Sequence, residues 1–113
     1  PPSLPADQLA FDLLSAGVKL AAPVPVILVN EPILVSQGEN SDIRYNYYYP
    51  RWAYDQYRQQ LQVYCGKQGL TCYDFWDLVP ETEFTNTAIH LTPAGEAILV
   101  EQLNELLVEN FDR

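Results

Sequence analysis

The segment EFTNTAIHLTPAGEAILVEQL, residues 83–103, contains the clearest helix start in the chain. Thr92 is a good N-cap, and Pro93 suits the first helical position because the N–H that proline lacks has no intrahelical partner there. We therefore predict a helix over residues 92–111. Its predicted apolar face consists of Ala97, Leu99, Val100, Leu103, Leu106 and Leu107. The only histidine, His90, lies two residues before this start, where it is either a catalytic base or a polar residue at a helix end.

The segments before this helix alternate between helix and strand patterns. The run VPVILVN is apolar and β-branched, which is typical of a strand buried on both faces. The predicted elements are a helix over 6–21, a strand over 24–30, a long connection over 31–50, a helix over 50–69 and a strand over 70–78. This order predicts an α/β domain with a parallel sheet covered by helices. Two strands leave both edges open, so we expect a part of a larger domain, or a homo-oligomer that completes the sheet.

The composition limits the classes of function. A length of 113 residues suits one domain, and a hydrophobic content of 48% is enough for a packed core. The net charge of −9 argues against a nucleic-acid partner, because a phosphate backbone requires a basic surface. No apolar run approaches the roughly 20 residues of a membrane-spanning helix. The chain begins with PPSLPADQ and not with methionine, and we expect it to be a processed or excised piece.

The two cysteines, Cys65 and Cys72, lie in YCGKQGLTCYDF. Their spacing does not match the spacing of a metal site. Two interpretations remain open from the residues. They are either two half-buried thiols, or a disulfide between the end of a helix and the next strand, which would imply an oxidising compartment.

A family resemblance emerges from these segments. A strand ending in YDFWDLVP, a short acidic loop and then TNTAIHLTPAGEAILVEQL resemble the C-terminal block of SGNH/GDSL-type hydrolases. In that family an Asp stands three residues before the His, and a Leu-(Asn/Thr)-Pro-x-Gly helix start follows. The preceding residues, from PVILVNEPILV to LQVYCGKQGLTCYDF, are similar to the family's penultimate β-loop-α-β unit. The chain looks most like the branch of DltD-type extracytoplasmic acyl-transfer proteins.

The resemblance covers nearly all of residues 1–113, but as the second half of such a domain. It implies a three-layer α/β/α, flavodoxin-like fold, of which this chain is an incomplete C-terminal half. It also implies esterase or acyltransferase chemistry on ester-linked acyl groups, including those on carbohydrates, with no metal and no organic cofactor. An extracytoplasmic or periplasmic location follows from the same resemblance.

By the family's motif, His90 would take the proton from a serine nucleophile and return it to the leaving group. The position of the family's Asp is occupied by Thr87, whose hydroxyl could orient the ring but carries no charge. Losing that charge is worth about 10⁴ in turnover in the serine-protease template. Glu83 is the acid that we expect to replace it, with Asp74 and Asp77 as alternatives.

The family's Gly-Asp-Ser nucleophile block and its oxyanion-hole blocks lie in the N-terminal half of the domain. The serines of this chain are Ser3, Ser15, Ser36 and Ser41. None of them stands in a Gly-Asp-Ser context. We therefore expect this chain alone to be inactive as an esterase.

The loop SDIRYNYYYPRW, residues 41–52, combines tyrosines with arginines. In one interpretation Arg44, Tyr47 and Tyr48 belong to a rim that stacks on a sugar or acyl acceptor and pairs with an anion. In the other, the aromatic rings only pack the loop onto the domain.

Asn30 and Glu31 lie at the end of the first predicted strand and would face the same edge of the sheet as His90. They are candidate substrate-binding residues, although a strand-to-loop turn before Pro32 also accounts for them. The sequence is therefore consistent with two functions. The chain is either the C-terminal part of an SGNH-like esterase or acyltransferase, or a non-catalytic binding or assembly domain that uses the tyrosine-rich loop.

Overall fold

A computed structural model describes residues 2–111. It contains a short 3₁₀ helix at Ala6–Gln8, helix α1 at Asp12–Ala21, strand β1 at Ile27–Asn30, helix α2 at Arg51–Gln68, strand β2 at Thr71–Asp74, a second 3₁₀ helix at Glu81–Glu83, and helix α3 at Pro93–Phe111. The predicted alternation of helices and strands is confirmed, and the protein is of the mixed α/β type.

Strands β1 and β2 form a two-stranded parallel sheet. Ile27 pairs with Thr71 at one end and Asn30 with Asp74 at the other. Because the strands are parallel, both carboxyl ends lie at the same edge. The chain continues side by side beyond this edge, since the Ile33 N–H donates to the Trp76 carbonyl oxygen at 2.9 Å. The predicted flavodoxin-like three-layer architecture needs more strands than these two and stays a prediction.

Several boundaries differ from those predicted by the sequence. The predicted helix over 6–21 is interrupted, because Leu9 has extended backbone angles after the first 3₁₀ helix. The first strand starts at Ile27 and not at residue 24, after two prolines that cannot donate to a ladder. The second strand ends at Asp74 and not at residue 78, because β1, its partner strand, ends at Asn30. The Phe75 N–H donates to the Asn30 carbonyl oxygen, which is the last carbonyl of β1.

The connection between α2 and β2 is held covalently. Cys65 and Cys72 form a disulfide, which decides between the two interpretations of the cysteines. Helix α2 ends at Gly69, whose φ of 67° lies in the left-handed region that glycine adopts without strain. The Leu70 N–H donates to the Cys65 carbonyl oxygen at 2.9 Å. Helix α2 and strand β2 are therefore tied together at one end.

The buried core lies beyond the carboxyl edge of the sheet rather than within it. Its main cluster consists of Ile33, Tyr45 and Tyr54, with Val35, Tyr49, Tyr57 and Trp76 packed against it. All four residues of β1 are only half-buried, whereas the sequence predicted a strand buried on both faces. The outer edge of a strand without a neighbour remains accessible to solvent, which accounts for the difference.

The predicted apolar face of α3 is only partly buried. Leu106 is buried, whereas Val100 and Leu107 are 55% and 46% exposed and Ala97 is exposed as well. The Asn110 amide donates to the Tyr73 hydroxyl at 2.9 Å and so connects the far end of α3 to β2.

Candidate functional site

Asn30 is the centre of a hydrogen-bond network at the carboxyl edge of the sheet. Its Nδ2 donates to the Tyr54 hydroxyl at 2.9 Å and to Asp74 Oδ1 at 3.0 Å. Its Oδ1 accepts a hydrogen bond from the Tyr57 hydroxyl at 3.1 Å. Both donor hydrogens of the amide are therefore engaged, and Asn30 connects β1 to β2 and α2. Asn30, which the sequence predicted to bind substrate, therefore uses its side chain in hydrogen bonds that hold the fold together.

The two tyrosines of this network are held in the neutral form. Burial raises the pKa of Tyr54 to about 12. Burial also raises the pKa of Tyr57, with further contributions from the negative charges of Asp74 and Glu31. At neutral pH both side chains therefore act as hydrogen-bonding groups and not as bases.

His90 lies on an exposed turn just before α3. The Thr87 hydroxyl accepts hydrogen bonds from the backbone N–H of His90 at 3.0 Å and of Ile89 at 3.4 Å. The His90 carbonyl oxygen accepts from the N–H of Thr85 at 2.9 Å. Thr87 thus fixes the backbone of the turn, as short hydroxyl side chains often do. Among residues 2–111, no group forms a hydrogen bond with the His90 imidazole.

Glu83 anchors the start of α3. Its Oε1 accepts a hydrogen bond from the Thr92 hydroxyl at 2.6 Å, and its carbonyl oxygen accepts from the Thr92 N–H at 2.9 Å. The Thr92 hydroxyl in turn accepts from the Gly95 N–H at 3.1 Å, which is the expected N-cap contact. A Cβ at Gly95 would lie 2.8 Å from the Glu83 carbonyl oxygen, so the approach requires glycine. The Glu83 carboxylate contacts Thr92, rather than the imidazole as the sequence predicted.

His90 instead lines an open cavity together with two other acidic residues. This cavity, of ≈ 370 Å³, is lined by His90, Glu31 and Glu96 together with apolar residues that include Leu99. Sequence reasoning assigned Glu31 to substrate binding and missed Glu96. Glu96 belongs to the first turn of α3, so its position in the lining of the same cavity follows from the predicted helix start, and that signal could have identified it.

A second cavity adjoins the first. It has a volume of ≈ 330 Å³ and is lined by Asn30, Glu31 and three tyrosines, Tyr49, Tyr54 and Tyr57, with apolar residues around them. Glu31, an exposed residue directly after β1, lines both cavities. The carboxyl edge therefore brings together Asn30, Glu31 and His90 from the predicted site, with Glu31 at the boundary between the two cavities.

The tyrosine-rich loop is organised by Asn46, which is only 4% exposed. Its Oδ1 accepts from the N–H groups of Tyr48 at 2.8 Å and Tyr49 at 3.1 Å, and its Nδ2 donates to the Leu34 carbonyl oxygen at 2.8 Å. This Asx turn directs Tyr47 and Tyr48 outward, where they are 82% and 64% exposed.

The other tyrosines of the loop point inward. Tyr45 is 5% exposed and packs edge-on against Trp76 with a centroid distance of 5.0 Å. Arg44 and Tyr47 line a separate cavity of ≈ 210 Å³ together with other residues of the loop. Packing thus accounts for Tyr45, and Tyr49 is half-buried, while Tyr47 and Tyr48 are exposed to solvent.

No protein-family model, no curated protein and no solved structure matches this chain. The resemblance to SGNH/GDSL-type hydrolases therefore rests on the sequence motifs alone. Within residues 2–111, no three His, Cys, Asp or Glu side chains come together in a way that could hold a metal ion. None of the helices in this described part is both long and apolar enough to cross a bilayer.

Proposed function

We propose that this chain is the base-carrying, C-terminal part of an SGNH-like esterase or acyltransferase that acts on ester-linked acyl groups. The observation that carries the proposal is the placement of His90. His90 is exposed and lines a cavity beyond the carboxyl ends of two parallel strands, where α/β folds hold their ligands. The ring forms no hydrogen bond within residues 2–111, so both of its nitrogens are available to a serine and to an acid.

In this proposal the orienting acid is a glutamate of the His90 cavity. Thr87 and Glu83, the two residues expected from the motif, are engaged with backbone groups and with Thr92. Glu31 and Glu96 line the same cavity as the imidazole. A carboxylate beside the ring would hold its orientation and stabilise its protonated form.

The open sheet supports a role as one part of a larger three-layer α/β/α domain. The half-buried β1 has a neighbour on one side only, and the described chain holds a small core. The serine nucleophile and the oxyanion hole would then come from the rest of that domain. The chain alone is expected to be inactive. The disulfide supports an extracytoplasmic location, because disulfides persist in oxidising compartments.

The test is an ester-hydrolysis assay with p-nitrophenyl acetate on a protein that joins residues 1–113 to an upstream Gly-Asp-Ser segment. His90→Ala should lower turnover by about 10³-fold or more, since the general base acts in both half-reactions. Asn86→Ala, an exposed change in the same loop, is the matched control. Equal turnover in the two variants would refute the role of His90. Residues 1–113 alone should not exceed the buffer rate.

A second candidate function is a non-catalytic binding domain. The observation in its favour is the outward pair Tyr47 and Tyr48, whose rings lie 5.3 Å apart on a loop fixed by a buried asparagine. Such rings stack on sugar faces at little cost in conformational entropy. Calorimetric titration with a hexasaccharide of glucose or of N-acetylglucosamine tests this function. Binding that Tyr47→Phe retains and Tyr47→Ala loses would favour it, and no heat from either sugar would contradict it.

A further inference from the structure

The ≈ 330 Å³ cavity beside Asn30 has an aromatic wall. Tyr49 and Tyr54 lie 5.2 Å apart between ring centroids, with ring planes tilted by 37°, and Tyr54 and Tyr57 lie 5.6 Å apart with a tilt of 43°. The three rings therefore form one continuous surface. Aromatic faces carry partial negative charge and attract cations that approach within about 6 Å of the ring centroid.

The aromatic wall is rigid before any ligand binds. Asn30 donates to the Tyr54 hydroxyl and accepts from the Tyr57 hydroxyl, so one amide fixes the ends of both rings. Leu4 completes the lining from the N-terminal segment, which α2 holds in place. The Leu4 N–H donates to Gln56 Oε1 at 2.6 Å, and the Gln60 amide donates to the Leu4 carbonyl oxygen at 2.7 Å.

The local charge around the cavity is negative. Glu31 lies in the lining, and the residues that line it include no Lys or Arg among those that the structure describes. The nearest cation on the network, Arg58, donates to Asp74 at 2.7 Å and lies 4.1 Å from the centroid of the Trp76 ring. It is therefore already paired.

We propose that this cavity binds an organic cation, a quaternary or alkyl-substituted ammonium group, between the tyrosine wall and Glu31. The volume is at the lower end of the roughly 300–1,000 Å³ of small-molecule sites. Leu4, Ile33 and Ala53 supply apolar contacts for the alkyl groups. These contacts favour an alkylammonium ion over a hydrated metal ion, which needs several oxygen ligands. The proposal does not rest on the esterase chemistry, because the cation site needs neither His90 nor a serine and shares only Glu31 with the His90 cavity.

Titration of residues 1–113 with choline, followed by amide NMR shifts, tests the site. The amides of Glu31, Tyr49 and Tyr57 should shift together and saturate. The neutral isostere 3,3-dimethyl-1-butanol should bind at least about fivefold more weakly, because it has the same shape without the charge that the rings attract. Equal affinity for the two compounds, or shifts that do not include these three amides, would overturn the proposal.

Two variants separate the ligand site from the fold. Glu31→Gln alters an exposed side chain, and it should weaken choline binding about two- to fivefold, the range expected for one partly exposed ion pair. Glu109→Gln removes an equal charge from the far end of α3 and should leave the affinity unchanged. Tyr49→Leu removes one ring and should weaken binding about fivefold or more. If Glu31→Gln and Glu109→Gln bind choline equally well, the assignment to this cavity is wrong.

Discussion

The hydrogen bonds of the buried Asn46 amide allow a quantitative test of how much this residue stabilises the tyrosine-rich loop. Replacing it by alanine removes three hydrogen bonds, to the Leu34 carbonyl oxygen and to the N–H groups of Tyr48 and Tyr49. Each such bond contributes about 1 kcal/mol net, so Asn46→Ala should lower the free energy of unfolding by about 3 kcal/mol. Because Asn46 is only 4% exposed, water cannot readily replace the lost amide.

Urea denaturation, followed by tryptophan fluorescence and far-UV circular dichroism, measures this change. With a slope of about 2 kcal/mol per molar urea, the midpoint should fall by about 1.5 M. Asn86→Ala is the control, since this asparagine is exposed and its loss should change stability by less than about 0.5 kcal/mol. Trypsin should also cleave after the flanking Arg44 faster in Asn46→Ala. Indistinguishable midpoints for the two variants would refute the reasoning.

Three further outcomes test other contacts. Reducing the Cys65–Cys72 disulfide should lower the free energy of unfolding by about 2.4 kcal/mol, the loop entropy for a separation of 7 residues; urea melts with and without dithiothreitol measure it. Gly95→Ala should lower Tm although alanine favours a helix, because the Cβ would lie 2.8 Å from the Glu83 carbonyl oxygen. The pKa of Tyr54 is raised from 10.0 to about 12. As pH rises, the Tyr54 hydroxyl therefore loses its proton in the unfolded state before it does so in the folded state. The free energy of unfolding should then fall as pH rises from 10.0 to about 12, and it should fall less steeply in Tyr54→Phe.

Each of these three predictions has a result that would contradict it. Urea midpoints that do not respond to reductant would show that the disulfide adds no stability. A higher Tm for Gly95→Ala would mean that the 3₁₀ turn at Glu83 moves aside without cost. A pH slope unchanged in Tyr54→Phe would assign the alkaline loss of stability to other tyrosines.

The boundaries of α2 and α3 were the most predictable part of the fold, whereas the predicted helix over 6–21 begins only at Asp12. Thr92 and Pro93 at the start of α3, and Gly69 after α2, act through local backbone chemistry that sequence alone reveals. The strand lengths were not predictable in this way. The apolar pattern continues past Asp74, but a strand extends only as far as its partner, and β1 ends at Asn30.

The candidate site was predictable in its location but not in its contacts. The carboxyl edge of a parallel sheet predicts that Asn30, Glu31 and His90 lie near one another, and the structure places them along that edge. The contacts of Glu83 depend on how the loop after β2 folds back onto α3, a tertiary arrangement that motif spacing does not contain. Similarly, only the buried amide of Asn46 decides which tyrosines face outward.

The disulfide has a consequence for local motion at the end of α2. Helix ends normally fray, since their last carbonyls lack intrahelical partners. Here Cys65 is bonded to Cys72, a residue of β2 that pairs with Leu28 of β1. The last turn of α2 therefore cannot unwind freely while the sheet is intact. Amide protons of residues 65–70 should then exchange with solvent on the timescale of the strands, and reduction should release them to the faster exchange of a free helix terminus.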